Sequence, residues 1–338
     1  MKSRIFTLFA LWALALTGWG FAQESGYSHP VSVPGIRSQI TVYTGTPAGF
    51  DPVNASDEEL QTYGFPRRPD INDTRIYQDW KRAVSAERIV PELVAVPGRY
   101  HRPNQVVQTG ETVRNTSAVT SGNWSGFALV GGTEFDQVQG VWIVPNVGGA
   151  EQSGLKGYSS MWVGLDGDCN CNDLVQDGTE SDYVNGKTTY DAWIEFIPEP
   201  EVKVPNFAVQ PGDVIGAYST VGTKNGKLYG IYYIVNYNTN KSVSASLVMP
   251  SGDKYVGATA EWIVERTEVG GSFANPMPHY ANAYMNDAVA FRVGSSHAYS
   301  YTSGANQNIT MKASNGHTLS KASQQDSVSI WYQWVGYN

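Results

Sequence analysis

The chain has 338 residues, enough for one large domain plus additional segments. A net charge of −8 excludes the basic footprint of a nucleic-acid binder. Two cysteines exclude a disulfide framework, so buried apolar area must hold the core.

Residues 1–22 read as a secretory signal: Lys2 and Arg4 lead an apolar run from Ile5 to Leu16, and Gly20-Phe21-Ala22 supplies small residues for cleavage. That run is short for a bilayer span, and no later stretch approaches it, so the processed chain is expected to be exported without a membrane anchor. Residues 23–118 differ in pattern from the remainder of the chain and are read as a pro-segment with a linker. Ser56 to Glu59 form a capping box that opens a short helix through Gln61. Phe65 to Pro69 is extended, a second helix is expected from about Thr74 to Ala86, and a polar, Gly-containing stretch leads to Gly122. A permanent N-terminal subdomain is the alternative. Charge divides unevenly: residues 24–115 carry ten basic and eleven acidic side chains, 116–338 carry eleven and twenty.

From residue 119 onward no helical period of useful length appears. Strands are expected at 123–130, 136–144, 158–166, 188–197, 213–221, 229–239, 242–249, 257–266, 287–293, 298–302, 307–312 and 326–335, with a hairpin turn at Thr223 to Gly226. Abundant Gly (35), Tyr (20) and Trp (10), with only 16% charged residues, fit this reading. So many antiparallel strands predict an all-β fold, an antiparallel two-sheet β-sandwich.

The stretch from Met161 to Pro198 carries the most chemistry. Side chains alternate across a strand, so Met161, Val163 and Leu165 share one face while Trp162, Gly164 and Asp166 share the other. In the second strand Tyr190, Ala192, Ile194 and Phe196 oppose Asp191, Trp193 and Glu195. Each polar face thus joins an indole to carboxylates, which suits a cleft gripping an extended ligand. Between these strands a polar loop is expected, containing the short run Leu174-Val175-Gln176. Further on, Glu261, Ile263 and Glu265 share a face opposite Trp262 and Val264.

Other chemistries find little support. There is no G-x-S-x-G, no H-E-x-x-H and no D-T-G, and the five histidines (29, 101, 279, 297 and 317) are scattered. The run Asp166-Gly167-Asp168-Cys169-Asn170 resembles the start of a calcium loop, but Cys171 stands where such a loop needs glycine and Asp177 at its twelfth position. A polar turn is the better reading. Cys169 and Cys171 either form a tight loop disulfide or remain free, and two such thiols make a poor zinc site. No cofactor or metal is expected.

What remains is carboxylate and amide chemistry, and here the sequence resembles the glutamic peptidases (the eqolisin family). The resemblance rests on M-W-V-G-L-D-G at 161–167, N-W-S-G-F-A-L-V-G at 123–131, V-W-I-V-P at 141–145 and A-E-W-I-V-E at 260–265. It covers roughly 120–275 and implies a concanavalin A-like sandwich, with 119–338 as the catalytic domain of a secreted acid endopeptidase. It also implies a catalytic pair, Glu265 as general base and Gln176 as oxyanion donor. Trp162, Glu195, Glu180, Asp166, Asp191 and Trp193 then line the substrate cleft; Glu180 stands where relatives often carry aspartate. Protein or peptide substrates are the expected partners, with no nucleic acid and no membrane, and the chain is expected to act as a monomer. The competing readings are a sandwich-fold carbohydrate binder or glycosidase, whose sites also join indoles to carboxylates, and a catalytically inactive relative.

Overall fold

The computed structural model describes residues 26–131, 134–149, 156–169, 171, 173–250, 254–272 and 275–337. The signal expected at 1–22 lies outside the described residues, among which no helix is long and apolar enough to cross a membrane. Two antiparallel sheets pack face to face. In the first, the strands run in the order Asn306–Lys312, Trp124–Leu129, Ala260–Glu265, Ser160–Leu165, Leu174–Val184, Lys187–Ile197 and Val202–Lys203. In the second they run Ile330–Trp334, Ala283–Arg292, Phe135–Ile143, Val214–Lys224, Lys227–Asn236 and Lys241–Val248. Thr318–Gln324 pairs with both Asn306–Lys312 and Ile330–Trp334 and so joins the sheets at one edge.

The alternation read from the sequence sets the layers. Met161, Val163, Leu165, Ala192, Ile194, Phe196, Trp262 and Val264 all enter the core between the sheets. Trp162, Trp193 and Ile263 emerge on the outer face of the first sheet, where Trp124 joins them in a separate cluster. The hairpin expected at 223–226 joins Val214–Lys224 to Lys227–Asn236. Asn225 and Gly226 hold φ of 52° and 73°, the left-handed pair such a turn requires.

One expected loop is a strand. Leu174–Val184 is an eleven-residue central strand, paired along its length with Lys187–Ile197 and with Ser160–Leu165. Its period is hidden because both faces are polar: Gln176, Glu180 and Asp182 point outward, while Asp177 and Thr179 point inward. Inside the core the Ser219 hydroxyl donates to Asp177 Oδ1 at 2.8 Å, leaving Oδ2 without a hydrogen-bond partner in the protein, and the Trp142 indole N–H donates to Thr179 at 3.0 Å.

The N-terminal segment wraps the sandwich. Helix α1 (Asp57–Thr62) opens on the expected capping box: the Glu59 amide donates to Ser56 Oγ at 3.2 Å and the Ser56 amide to Glu59 Oε2 at 2.8 Å. Helix α2 (Thr74–Val84) comes next, and Leu60, Phe65 and Trp80 cover Tyr218, Tyr233 and Val235 on the outer face of the second sheet. The segment is not helical alone. Ser28–Val31 and Ile40–Tyr43 extend the edge of the second sheet, and Val94–Ala95 extends the first beside Val202–Lys203. The chain then crosses the outer face of the first sheet and enters the hairpin Val106–Val113 and Thr116–Ser121, whose second strand pairs in parallel with Asn306–Lys312 at the far edge. A boundary at 118 therefore falls within a strand.

Candidate active site

The register of the first sheet places the outward side chains in rows. Gly164 stands between Glu261 and Gln176, Gln176 faces Glu195, Trp162 lies between Ile263 and Gly178, and Ser160 lies between Glu265 and Glu180. Two glycines make room for the indole between the rows. A Cβ at Gly178 would meet the Trp162 Cβ at 2.5 Å, and one at Gly164 would meet the far edge of the ring at 2.9 Å. Trp162 lies edge-on to Trp124, and its N–H donates to Glu265 Oε2 at 2.8 Å. The Asn123 amide donates to Glu265 Oε1 at 3.3 Å. Gln176 donates from Nε2 to Glu195 Oε2 at 2.7 Å, while Gln176 Oε1 has no hydrogen-bond partner in the protein.

Across these rows lies the chain's own segment 99–105. His101 is fully buried, and its imidazole stacks on Trp193 with ring centroids 3.6 Å apart. Both ring nitrogens meet carboxylates, Nδ1 with Glu265 Oε2 and Nε2 with Glu201 Oε2, each at 3.1 Å. A doubly protonated ring satisfies both. The His101 amide donates to Glu195 Oε2 at 2.9 Å, and its carbonyl accepts from Gln176 Nε2 at 2.6 Å. The next amide, that of Arg102, donates to Glu265 Oε1 at 3.2 Å. Arg99 bonds Glu180 at 3.3 Å and Asp182 at 2.8 Å, and Arg102 bonds Glu268 at 3.1 Å. Three cations thus fill a groove of six buried acids: Glu180, Asp182, Glu195, Glu201, Glu265 and Glu268.

Burial governs the protonation of this cluster. It raises the pKa of Glu265 above the ordinary carboxylate value, against the hydrogen bonds from His101, Trp162 and Asn123. It raises Glu195 well above, with the His101 charge opposing, and Glu180 well above, reinforced by Asp182. For His101 burial works downward, but the hydrogen bonds to Glu201 and Glu265 and the charge of Glu180 outweigh it and leave the imidazole well above its usual value.

Of the residues singled out from sequence, Glu265, Gln176, Trp162, Trp193, Glu195 and Glu180 converge on this groove. Asp191 lies at its margin in an ion pair with Lys203 at 2.6 Å. Asp166 is a correction. Its carboxylate accepts from the backbone amides of Val256, Gly257, Ala258 and Thr259 at 2.5 to 3.3 Å, so it fixes a loop and does not line the cleft. Cys169 and Cys171 are joined as a disulfide. Asp177, the twelfth position of the calcium-like run, sits within a strand with its side chain in the core. Among the described residues, His101, Glu180 and Glu201 bring ligand atoms within 4.8 Å of one another, but all three are engaged in the ion pairs above. The groups missed from sequence are Arg99, His101, Arg102, Asn123, Asp182, Glu201 and Glu268. The basic run R-Y-H-R at 99–102, three basic side chains in four residues, was the one available signal.

A groove on a β-sandwich, walled by carboxylates and one amide and filled by an extended peptide, defines a peptide-binding protein equipped for carboxylate chemistry. The sequence profile of the Peptidase A4 family matches residues 122–334. Aspergillopepsin-2 of Aspergillus niger is 28% identical over 202 residues, 54% of this chain and 70% of that protein. Scytalidopepsin B of Scytalidium lignicola is 29% identical over 179 residues, 53% of this chain and 65% of that one. The crystal structure of scytalido-glutamic peptidase with a transition-state analog inhibitor has the same fold, with a TM-score of 0.52 at 24% identity over 63% of this chain and 98% of that one. The chain belongs to the Peptidase A4 family and is a glutamic-type endopeptidase.

Proposed function

We propose that the protein is a secreted acid endopeptidase in which Glu265 activates water and the Gln176 amide stabilises the oxyanion, made as a precursor whose N-terminal segment closes the cleft. One observation carries this reading: Gln176 and Glu265 grip the two ends of a single peptide group, the carbonyl of His101 and the amide of Arg102. Those are the atoms that an oxyanion donor and a proton donor to the leaving amine must meet. Ionised Glu265 takes a proton from the attacking water, the carbonyl oxygen gains its charge against Gln176 Nε2, and Glu265 returns the proton to the departing nitrogen. An amide suits its role because it stays neutral and donating at every pH.

The charge balance of the groove supports the acid range. In the precursor Arg99, His101 and Arg102 neutralise the acids around them. With Arg99, His101 and Arg102 gone, several buried carboxylates face one another, and they coexist only where some are protonated. Activity is therefore expected to centre in acid and fade towards neutrality. Export is the expectation set by the N-terminal signal, and residues 23 to roughly 115 form the segment to be removed. Casein and a panel of polysaccharides, incubated with the acid-treated protein from pH 2 to 8, test this reading. Casein clearing below about pH 5 with no release of sugar is expected. Hydrolysis of polysaccharide instead, or full proteolytic activity in an uncleaved chain beginning near Gln23, would overturn it.

Trp162 supplies a finer check. Its N–H on Glu265 Oε2 is one of the bonds holding the carboxylate pKa down against burial. Trp162→Phe keeps an aromatic ring against Trp124 but removes that donor, so the pKa of Glu265 rises. The acid limb of the rate profile should move to higher pH and kcat fall about tenfold, the scale of one hydrogen bond to a charge. An unmoved acid limb with native thermal stability would assign the indole to packing alone.

A further inference from the structure

We propose that the bond between His101 and Arg102 is the one this protein cleaves in itself, and that the pocket around His101 selects a flat cation on the residue preceding the scissile bond. The inference rests on the catalytic reading of Glu265 and Gln176 and extends it to a particular bond and substrate class. An inhibitory plug needs only to fill a groove. This segment does more, because its backbone lies in substrate register. Arg99 and Tyr100 pair as a strand with Val269 and Glu268, the His101 amide is held by Glu195, its carbonyl by Gln176, and the Arg102 amide by Glu265. On the far side Asn104 and Gln105 are anchored by their backbone amides to the Gly167 carbonyl and the Asn123 side chain, at 3.0 and 2.9 Å. The peptide group between Gln176 and Glu265 is thus fixed from both directions, as proximity catalysis requires.

The pocket for the preceding side chain is equally defined. Trp193 forms its floor, with the imidazole plane tilted only 6° from the indole. Glu265 and Glu201 meet the two ring nitrogens, and Glu180 lies 3.8 Å from Nε2. The charged groups facing the ring are therefore Glu265, Glu201 and Glu180, with Glu195 on its backbone amide and Arg99 bound to the same acids. A flat ring carrying positive charge fits stacking and charge together. An aliphatic side chain would leave the acids without their partner, and a carboxylate would repel them. In the cleavage, water adds to the His101 carbonyl carbon as Glu265 takes its proton, and the carbonyl electron pair moves to the oxygen held by Gln176. Collapse breaks the bond to the Arg102 nitrogen, which receives the proton from Glu265. The products are a carboxyl group on His101 and a free amine on Arg102; one water is consumed and nothing is oxidised.

The full-length protein, purified at pH 8 and shifted to pH 4, tests the proposal through intact-mass spectrometry under denaturing conditions and N-terminal sequencing. The first two fragments to form are expected to be one ending at His101 and one starting at Arg102, before the new N-terminus is trimmed towards residue 115; they form at a rate independent of protein concentration and are absent from Glu265→Gln. His101→Leu should slow cleavage at that bond at least tenfold. Because that variant removes a buried group and risks misfolding, a synthetic peptide spanning residues 97–106 is also given to the acid-treated wild-type protein. It should be cut between its histidine and arginine, and glutamate in place of the histidine should lower kcat/KM at least tenfold. A protein that clears casein in acid while its 101–102 bond stays intact would overturn the proposal and leave the dyad standing, as would equal cleavage of the two peptides. Undiminished casein clearing by Glu265→Gln, or none by wild type, would remove the dyad and this inference together.

Discussion

Glu265→Gln is expected to lower peptide hydrolysis at pH 4 by at least roughly a thousandfold, the upper range for loss of a general base, while the protein folds normally. The substitution keeps the size of the side chain and one oxygen to accept from the Trp162 indole, at 2.8 Å, while the amide nitrogen that replaces the other oxygen no longer accepts from Asn123. What it loses is the ability to take a proton from water and return it to the leaving nitrogen. Gln176→Ala is expected to cost about 10²- to 10³-fold in kcat, the scale of one oxyanion donor, because the base remains. The two variants should differ in pH dependence. Gln176→Ala retains the wild-type acid limb, since Glu265 still titrates, whereas any residual rate in Glu265→Gln should have lost it. Steady-state kinetics on one peptide from pH 2 to 8 read both effects, and a wild-type rate in Glu265→Gln would remove this residue from the chemistry.

Thermal stability is expected to be greatest near pH 3 to 4 and to fall by roughly 10 °C towards pH 8, on the scale of a few kcal/mol for a domain of this size. Three buried acids and one half-buried acid set the direction. Burial pushes Asp177 up to about 8 and Asp168 up to about 6. Burial, followed by the neighbouring Asp79, pushes Asp287 up to about 8. Burial also raises Asp182 to about 6, against the Arg99 charge. Each folded-state pKa lies above that of the unfolded chain, so the folded state binds the proton more tightly. The resulting stability is complete below the ordinary aspartate pKa, about 3.8, and is lost as the pH rises through 6 to 8. His101, held above its unfolded value, contributes with the same sign. Melting curves of full-length Glu265→Gln protein from pH 3 to 8 avoid self-digestion and should show the fall, and adding Asp177→Asn should flatten it by several degrees. A melting temperature that climbs from pH 4 to 8 would contradict the assignment. The same sign agrees with the acid range proposed for the activity, where the core carries the least ionisation.

Local pattern makes much of this protein legible from sequence. Period-two alternation at 161–165, 190–196 and 261–265 places Trp162, Trp193, Glu195 and Glu265 on one surface, because a strand leaves its side chains no other choice. Ser56 and Glu59 mark the start of α1, and Asn225-Gly226 marks a hairpin, because each satisfies a requirement within a few residues. Where the contrast between faces vanishes, alternation is silent: Leu174–Val184 carries Gln176 and Glu180 on one face and Asp177 and Thr179 on the other, so nothing in its pattern betrays a central strand. Asp166 shares a face with Trp162 yet turns to four amides at 256–259, because a strand's end, with φ at 70°, is free to leave the sheet. Only the tertiary structure decided the rest. The partner of Glu265 is His101, 164 positions away, and that of Asp182 is Arg99, 83 away. Alternation and capping reach a few residues along the chain, whereas these pairs exist because the segment before residue 106 crosses the sheet from one edge to the other. The sequence by itself determined which face of its own strand Trp162, Trp193, Glu195 and Glu265 each take; the path of the backbone across the sheet determined that the groove is closed by the protein's own peptide.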